Sequence, residues 1–391
     1  MNKLLFFFAF IFLTSFAKAQ WQKTSLDSGW FYCIASDGTN IFAGNWYDGI
    51  YLSTNSGISW ASSNNGLPYD SIDSQNVGVY SFAISGTNIF AGTYGGGVIL
   101  STNNGANWIP INNGLSNQKV LSLATNGNKI FAGTNGSGVF LSTNNGASWA
   151  VVNNGFSGYT VVHSLAINGI NIFAGTNNGV YLSTNNGANW SSIGLINKSV
   201  YALALSGSDI FAGTLGYGVY LITDNGINWN SAQVGLSNDT IVSFSVSGTN
   251  LFAGTYNKGV FLLQHDGVNW IPVNTGLTNY NVWALTINVN NLFAGTGAGI
   301  WKRSLSELGI NEISDNENIF TVYPNPATDN LIITSMQKTT IEIINIQGQI
   351  ILHQIIFQGK TDIDISGLAK GIYVLMFNNN DKTEVIKIIK E

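Results

Sequence analysis

Charge is scarce in this sequence. Only 9% of its 391 residues are charged, against about a quarter in ordinary soluble domains. Cys33 is the one cysteine, which excludes an intramolecular disulfide framework and any cysteine-rich zinc site. Arg303 is the one arginine, and no glutamate occurs between residues 21 and 304. Most of the chain therefore lacks the bidentate forks that grip carboxylates and phosphates. The net charge of −5 argues against a nucleic-acid binder, which needs a basic face. No segment beyond the first twenty residues has the length and apolarity of a spanning helix. The chain is not short of aromatics, at 12%, or of glycine, at 45 residues. High aromatic content with little charge excludes a disordered chain.

The amino terminus reads as an export signal. Lys3 supplies the positive start, Leu4–Leu13 an unbroken apolar run, and Ala17-Lys18-Ala19 a small-x-small cleavage site. The run is short for a membrane span, which takes about 20 apolar residues. Residues 1–19 are expected to be a signal peptide.

The middle of the chain is one unit copied seven times. The phrase Ile/Leu-Phe-Ala-Gly starts at Ile41, Ile89, Ile130, Ile172, Ile210, Leu251 and Leu292, with offsets of 48, 41, 42, 38, 41 and 41. A period near 40–45 residues suits a four-stranded propeller blade. Val200–Leu205, Asp209–Gly213, Gly218–Ile222 and Ile227–Ala232 show the four strands of one copy, punctuated by turn residues. The first strand recurs as FYCIAS from Phe31, VYSFAI from Val79, VLSLAT from Val120, VHSLAI from Val162, VYALAL from Val200, IVSFSV from Ile241 and VWALTI from Val282. Its third and fifth residues are small; its second and fourth are mostly large. Alternation predicts that the two sets lie on opposite faces, small against a neighbour's large. The seventh copy stops after three strands. Trp21-Gln22-Lys23-Thr24 resembles Trp270-Ile271-Pro272-Val273, so the segment near 20–27 is expected to supply the missing strand and cover the exposed edge. Residues 20–304 are read as an all-β, seven-bladed β-propeller.

Between the third and fourth strands lies Ser-Thr-Asn-Asn-Gly-Ala-Asn-Trp, at Ser101–Trp108 and Ser183–Trp190. Close forms occur at Ser53–Trp60 and Ser142–Trp149, weaker ones at Ile222–Trp229 and Leu263–Trp270. An Asn side chain bonds its own turn, Gly takes the positive φ, and the Trp buries roughly 200 Å². The motif resembles the Asp-box of sialidase-like propellers, with Asn mostly replacing Asp. That family binds a carboxylate with three arginines and uses a Glu beside a Tyr nucleophile. With one arginine and no propeller glutamate, sialidase activity is argued against.

Propeller geometry puts the second-to-third and fourth-to-first connections on one face. Trp46, Tyr47, Asp48, Tyr94, Tyr217 and Tyr256 are the candidate ligand-binding residues there, with Tyr69, Tyr159 and Tyr280 beside them. Sugars stack their C–H faces on such rings. No catalytic residue is assigned. The rival reading is a glycoside hydrolase or lyase, which needs two positioned carboxylates, from Asp48, Asp70, Asp73 and Asp239. Cys33 reads as a small packing residue, His163 as core or channel packing, and His265 as a turn residue. No metal or cofactor spacing occurs, so neither is expected. Asp70-Ser71-Ile72 and Asp239-Thr240-Ile241 weakly resemble a bacterial O-glycosylation sequon.

Composition shifts after Trp301. Residues 305–318 are polar and acidic, a linker by composition. Short alternating strands then fill residues 319–391, fitting a small Ig-like β-sandwich. Tyr323-Pro324-Asn325-Pro326, Gly348, Gly367-Leu368, Gly371-Ile372-Tyr373 and Lys387-Ile388-Ile389-Lys390 resemble the type A sorting domain of the type IX secretion system. The resemblance implies a Gram-negative bacterium that exports the protein through the periplasm, with the secretion machinery as partner. It also implies that the protein is surface-attached or released. The expected function is non-catalytic binding of a glycan or protein outside the cell.

Overall fold

The computed structural model describes residues 20–70, 75–223, 229–232, 234–237, 239–263, 269–308, 320–335, 338–345, 348–379 and 382–391. The signal segment 1–19, Asp73, turn residues Asp224, His265 and Asp266, and linker residues 309–318 lie outside the described residues. Two compact units divide the chain, at 1–312 and 313–391. Both are all-β; a 3-10 turn at Ser306–Leu308 is the one helical element among the described residues.

The first unit holds seven antiparallel four-strand groups. The first sheet is Phe31–Ser36, Ile41–Asn45, Gly49–Ser53 and Ala61–Ser62. Later sheets repeat the pattern, their first strands being Gly78–Ser85, Val120–Asn126, Thr160–Asn168, Val200–Ser206, Ile241–Ser247 and Val282–Asn288. In the fifth sheet the third and fourth strands are Val219–Ile222 and Asn230–Ser231, shorter than the sequence suggests. Each first strand neighbours those of the sheets before and after it, and that of the seventh neighbours that of the first. The result is a closed, propeller-like ring. Asn135–Gly136 also pairs with Thr160–Val161, tying the third sheet to the fourth.

The strand missing from the seventh repeat comes from the start of the described chain. Gln22 pairs with Lys302 and Lys23 with Trp301. Trp21 is 2% exposed, and its indole donates to the Val273 carbonyl at 2.7 Å. The same bond joins most neighbouring sheets. Trp108 donates to Ser63, Trp149 to Ile111, Trp190 to Val152, Trp229 to Ile193 and Trp270 to Ala232, at 2.6–2.8 Å. Trp60, packed on the cluster that includes Phe293 and Ile300, is the exception: its buried N–H finds no acceptor among the described residues. The turn before each Trp is self-capped. In the second sheet, Ser101 Oγ donates to Asn103 Oδ1 and accepts from Gly105 N–H, while Asn103 Oδ1 accepts from Asn107 N–H.

One expectation needs correction. In all seven sheets the ladder slips between the first and third residues of the first strand, as at Phe31/Cys33 and Val79/Ser81. The second residue is therefore the extra residue of a β-bulge, and simple alternation fails there. Beyond the bulge the expected faces hold. A methyl on Gly92 would lie 2.5 Å from Ser81 Oγ in its own sheet and 2.8 Å from Val120 Cγ1 of the next. Small third residues thus meet the next sheet. A methyl on Gly213 would lie 3.1 Å from Phe244 Cε2, so large fourth residues meet the previous one.

The second unit has a three-stranded sheet, Phe320–Tyr323, Asn330–Ser335 and Gly359–Asp364, and a four-stranded one, Ile350–Ile356, Thr339–Asn345, Gly371–Asn379 and Lys382–Lys390. Both sheets feed one core, including Leu331, Ile333, Ile341, Ile343, Leu375 and Phe377.

Replacing Trp21 removes a buried ring and a seam bond together. Trp21→Ala should cost about 3 kcal/mol, roughly 5–10 °C in thermal melting. An unchanged melting temperature would show that this strand does not hold the ring closed.

Candidate functional site

The bulged residues converge on the ring axis. Tyr32, Tyr80, Leu121, His163, Tyr201, Val242 and Trp283, one from each sheet, line a cavity of about 150 Å³. One side of it is aromatic. Trp283, Tyr32, Tyr80 and Tyr94 form a run of touching rings, with centroids 5.1, 5.2 and 5.6 Å apart; the first pair is stacked at 28° and the next two are tilted at 30° and 33°. Trp46 lies against three of them, 5.3 Å from Tyr32, 5.1 Å from Tyr80 and 5.8 Å from Tyr94. Such ring pairs contribute about 0.5–1.5 kcal/mol each beyond their burial.

The hairpin carrying Trp46 has its own brace. Most sheets have Thr at the end of the second strand, whose hydroxyl bonds across the hairpin, as Thr93 does to the Gly97 carbonyl at 2.9 Å. The first sheet has buried Asn45 there, and its Oδ1 accepts from Tyr47 N–H and Asp48 N–H at 2.8 and 3.0 Å. Asn64 adds a second clamp, donating to the Asp48 carbonyl at 2.6 Å and accepting from Ile50 N–H at 2.7 Å. Asn112, Asn153 and Asn274 brace other hairpins in the same way.

The structure gathers Trp46, Tyr47, Tyr94 and Tyr256 around this mouth. Tyr47 meets Trp46 edge-on at 6.1 Å, and Tyr256 lies 5.3 Å from Trp283. Asp48 shares the Trp46 hairpin but is engaged there through its backbone. Tyr217 stands apart, with Lys198 Nζ 3.9 Å from its ring centroid. Sequence reading missed Tyr32, Tyr80 and Trp283. The available signal was the second column of the first strand, which varies among copies whose neighbouring columns scarcely change.

The axis is electrically quiet at neutral pH. Burial pushes the Tyr80 and Tyr32 phenols up, with neighbouring tyrosines adding to it. His163 stacks on Tyr201 at 4.2 Å, and burial lowers its imidazole to about 4. Cys33 is buried with its thiol pushed up, and Sγ donates to the Val79 carbonyl at 3.4 Å. Of the candidate carboxylates, Asp239 is buried and paired with Lys258 Nζ at 2.5 Å. Asp48 is exposed. The Asp70 side chain and Asp73 lie outside the described residues. Thr240 accepts Gly216 N–H through Oγ1 at 3.0 Å, which folds the second sequon-like triplet into the ring; the rest of the first lies outside the described residues.

In the second unit the two ends of the motif meet. Asn325 Oδ1 accepts from Ile389 N–H at 2.9 Å, Ala327 N–H donates to the Ile389 carbonyl at 2.8 Å, and Ala327 bridges Lys390. Tyr373 is buried and donates to the Ala369 carbonyl at 2.9 Å. Pro324 and Pro326 lie on either side of Asn325 and are exposed, and Tyr323 is 39% exposed. Gly371 and Lys387 belong to the paired final strands.

Comparison with known proteins agrees with both units. Residues 321–391 match the family model of the secretion system C-terminal sorting domain. No curated protein matches the chain. Among solved structures, the chain is similar to PorZ, a bacterial surface component of the type IX secretion system of Porphyromonas gingivalis. Identity is 14% and the TM-score 0.57, over 93% of this chain and 59% of that one. It is also similar to YCF48 from Cyanidioschyzon merolae, at 14% identity and a TM-score of 0.58, over 74% of this chain and 99% of that one. A family GH74 xyloglucanase from Xanthomonas campestris gives 16% identity and a TM-score of 0.60, over 81% of this chain and 59% of that one. This chain thus spans less than two thirds of PorZ and of the xyloglucanase. These likenesses show the β-propeller fold. The matched tail marks the protein for the type IX secretion machinery, through the periplasm to the cell surface or beyond. No helix among the described residues is long and apolar enough to cross a membrane.

The buried imidazole sets an acid limit. An unfolded His titrates near 6.5, and folded His163 near 4, so the unfolded state binds the extra proton between them. The His163 contribution to stability is therefore complete above about pH 6.5 and declines as pH falls toward 4, by up to about 3 kcal/mol. His163→Leu should flatten that part of the pH–stability curve measured by urea unfolding. An equally steep decline in the variant would count against this assignment.

Proposed function

We propose that the protein is an extracellular binding module. Residues 20–304 form a seven-bladed propeller with Asp-box-like turns, residues 305–318 a linker, and residues 319–391 an Ig-like sorting sandwich. Residues 1–19 act as the signal peptide. A glycan or protein ligand docks at the aromatic mouth of the propeller without being chemically altered.

The continuous run from Trp283 through Tyr32 and Tyr80 to Tyr94, roofed by Trp46, carries this reading. Clustered rings offer area and shape at little entropic cost, since each has two side-chain torsions. The side chains that line the axis cavity are neutral or apolar, which favours an uncharged contact surface over acid–base chemistry. The likeness to PorZ, a surface component, is in keeping with binding. The likeness to a xyloglucanase supports the rival, a glycoside hydrolase or lyase using two of Asp48, Asp70, Asp73 and Asp239. The Lys258 partner of Asp239 weighs against its use.

A glycan array and a pull-down from conditioned medium test the binding reading. Trp46→Ala and Tyr32→Ala should each weaken the captured ligand about tenfold or more. No ligand from either assay would overturn it. Polysaccharide cleavage lost in Asp48→Asn or Asp239→Asn would favour the rival. Deleting residues 367–391 should leave the propeller in the periplasm, as fractionation and immunoblotting would report. Normal surface export of that truncation would contradict the sorting role.

A further inference from the structure

A second cleft lies off the axis, on the fourth sheet. Its volume is about 480 Å³, and it is lined by Ser157, Tyr159, Thr160, Thr176, Asn177, Asn178, Tyr181 and Asn197. That size is within the range of about 300–1,000 Å³ usual for small-molecule sites. It shares no residue with the axis cavity. Every lining side chain is a hydroxyl, an amide or a phenol; none carries a charge.

Several of these groups have no partner in the fold. Tyr181 is only 9% exposed, its ring packed against Phe156 at 4.9 Å, yet its hydroxyl makes no hydrogen bond among the described residues. The side-chain amide of exposed Asn197 and Nδ2 of half-buried Asn178 also make no bond within the fold and face solvent, while Asn178 Oδ1 accepts from Asn197 N–H at 2.9 Å. The Tyr181 hydroxyl is not closed off by the fold but opens into the cleft, where it can donate to and accept from a ligand. Tyr159 adds a flat surface. Its ring is 69% exposed but pinned, because the hydroxyl donates to Asn135 Oδ1 at 2.9 Å. The next residue, Thr160, belongs to the pairing that ties the third sheet to the fourth. The wall of the cleft is thus rigid before any ligand arrives, which lowers the entropic cost of binding.

We propose that this cleft is a saccharide-binding site, specific for an uncharged sugar unit. A pyranose presents apolar C–H groups on its face and hydroxyls, each donor and acceptor, around its rim. Tyr159 matches the face; Tyr181, Asn178 and Asn197 match the rim. An acidic sugar would find no cation here, and an apolar ligand would strand the free amides. A peptide strand would need an open sheet edge, whereas Thr160 and Val161, next to Tyr159, are already paired with the third sheet.

The test uses the full chain after signal removal, titrated calorimetrically with neutral hexasaccharides of glucose, mannose, galactose and xylose. Polygalacturonate and a neutral peptide serve as controls. At least one neutral hexasaccharide should bind. Tyr181→Phe, which keeps the buried ring, should weaken it about fivefold through loss of one hydrogen bond. Tyr159→Ala should weaken it about tenfold. Failure of all four hexasaccharides to bind would overturn the proposal. So would binding that Trp46→Ala abolishes and Tyr181→Phe spares, because the sugar would then sit at the mouth. Preference for polygalacturonate or the peptide would equally refute it.

Discussion

The ring depends on how closely neighbouring first strands approach. The glycine of each Ile/Leu-Phe-Ala-Gly phrase sits where a side chain would strike the next sheet, and in five of the seven its own first strand as well. At Gly92 a methyl would meet Ser81 and Val120, and at Gly44 it would meet Cys33 and Val79. The small third residue and the missing side chain together make the groove into which the next sheet's first residue fits. That fit recurs around the axis, and dispersion falls steeply with even a small gap. Six tryptophans then lock the rim, each passing its indole N–H to a carbonyl one sheet back, Trp60 being the exception.

The same geometry separates scaffold from site. A bulge places the second residue of each first strand outside the ladder, where it pairs with nothing and faces the axis. Residues in the ladder are constrained by their neighbours on both faces. The bulged residue is constrained only by the space at the centre, so it is Tyr, Leu, His, Val or Trp without cost to the sheets. Binding surface can therefore be varied while the ring is kept. Asn45 shows a smaller version of this freedom. One amide in place of the usual Thr gives the first sheet a hairpin that carries Trp46 and Tyr47 to the mouth.

The two units record different kinds of information. In the propeller-like unit the repeat itself was legible, because each copy faces the same packing problem and repeats the same solution. In the tail no repeat exists, and the motif stood out only as an ordered set at the end of the chain. Its segments are some sixty residues apart, but the fold joins them: Asn325 and Ala327 bond the last strand at Ile389 and Lys390. A motif split in sequence is one contact in space.

Sequence alone determined the all-β character, the period, the turns, the missing strand and its replacement by the segment at Trp21, and the export tail. Each rests on local spacing or on comparison between copies. It also reached the aromatic residues of the hairpins, Trp46, Tyr47, Tyr94 and Tyr256, because connections can be assigned to one face. Only the tertiary structure decided what those rings touch. Tyr32, Tyr80 and Trp283 lie on strands that alternation would have left within the sheets, and a bulge turned them to the axis. Tyr217 carries the same signal as its neighbours, yet it pairs with Lys198 instead. The off-axis cleft was invisible for a similar reason. Its walls come from three connections and a sheet-to-sheet pairing, and no spacing along the chain encodes which side chains will meet across them.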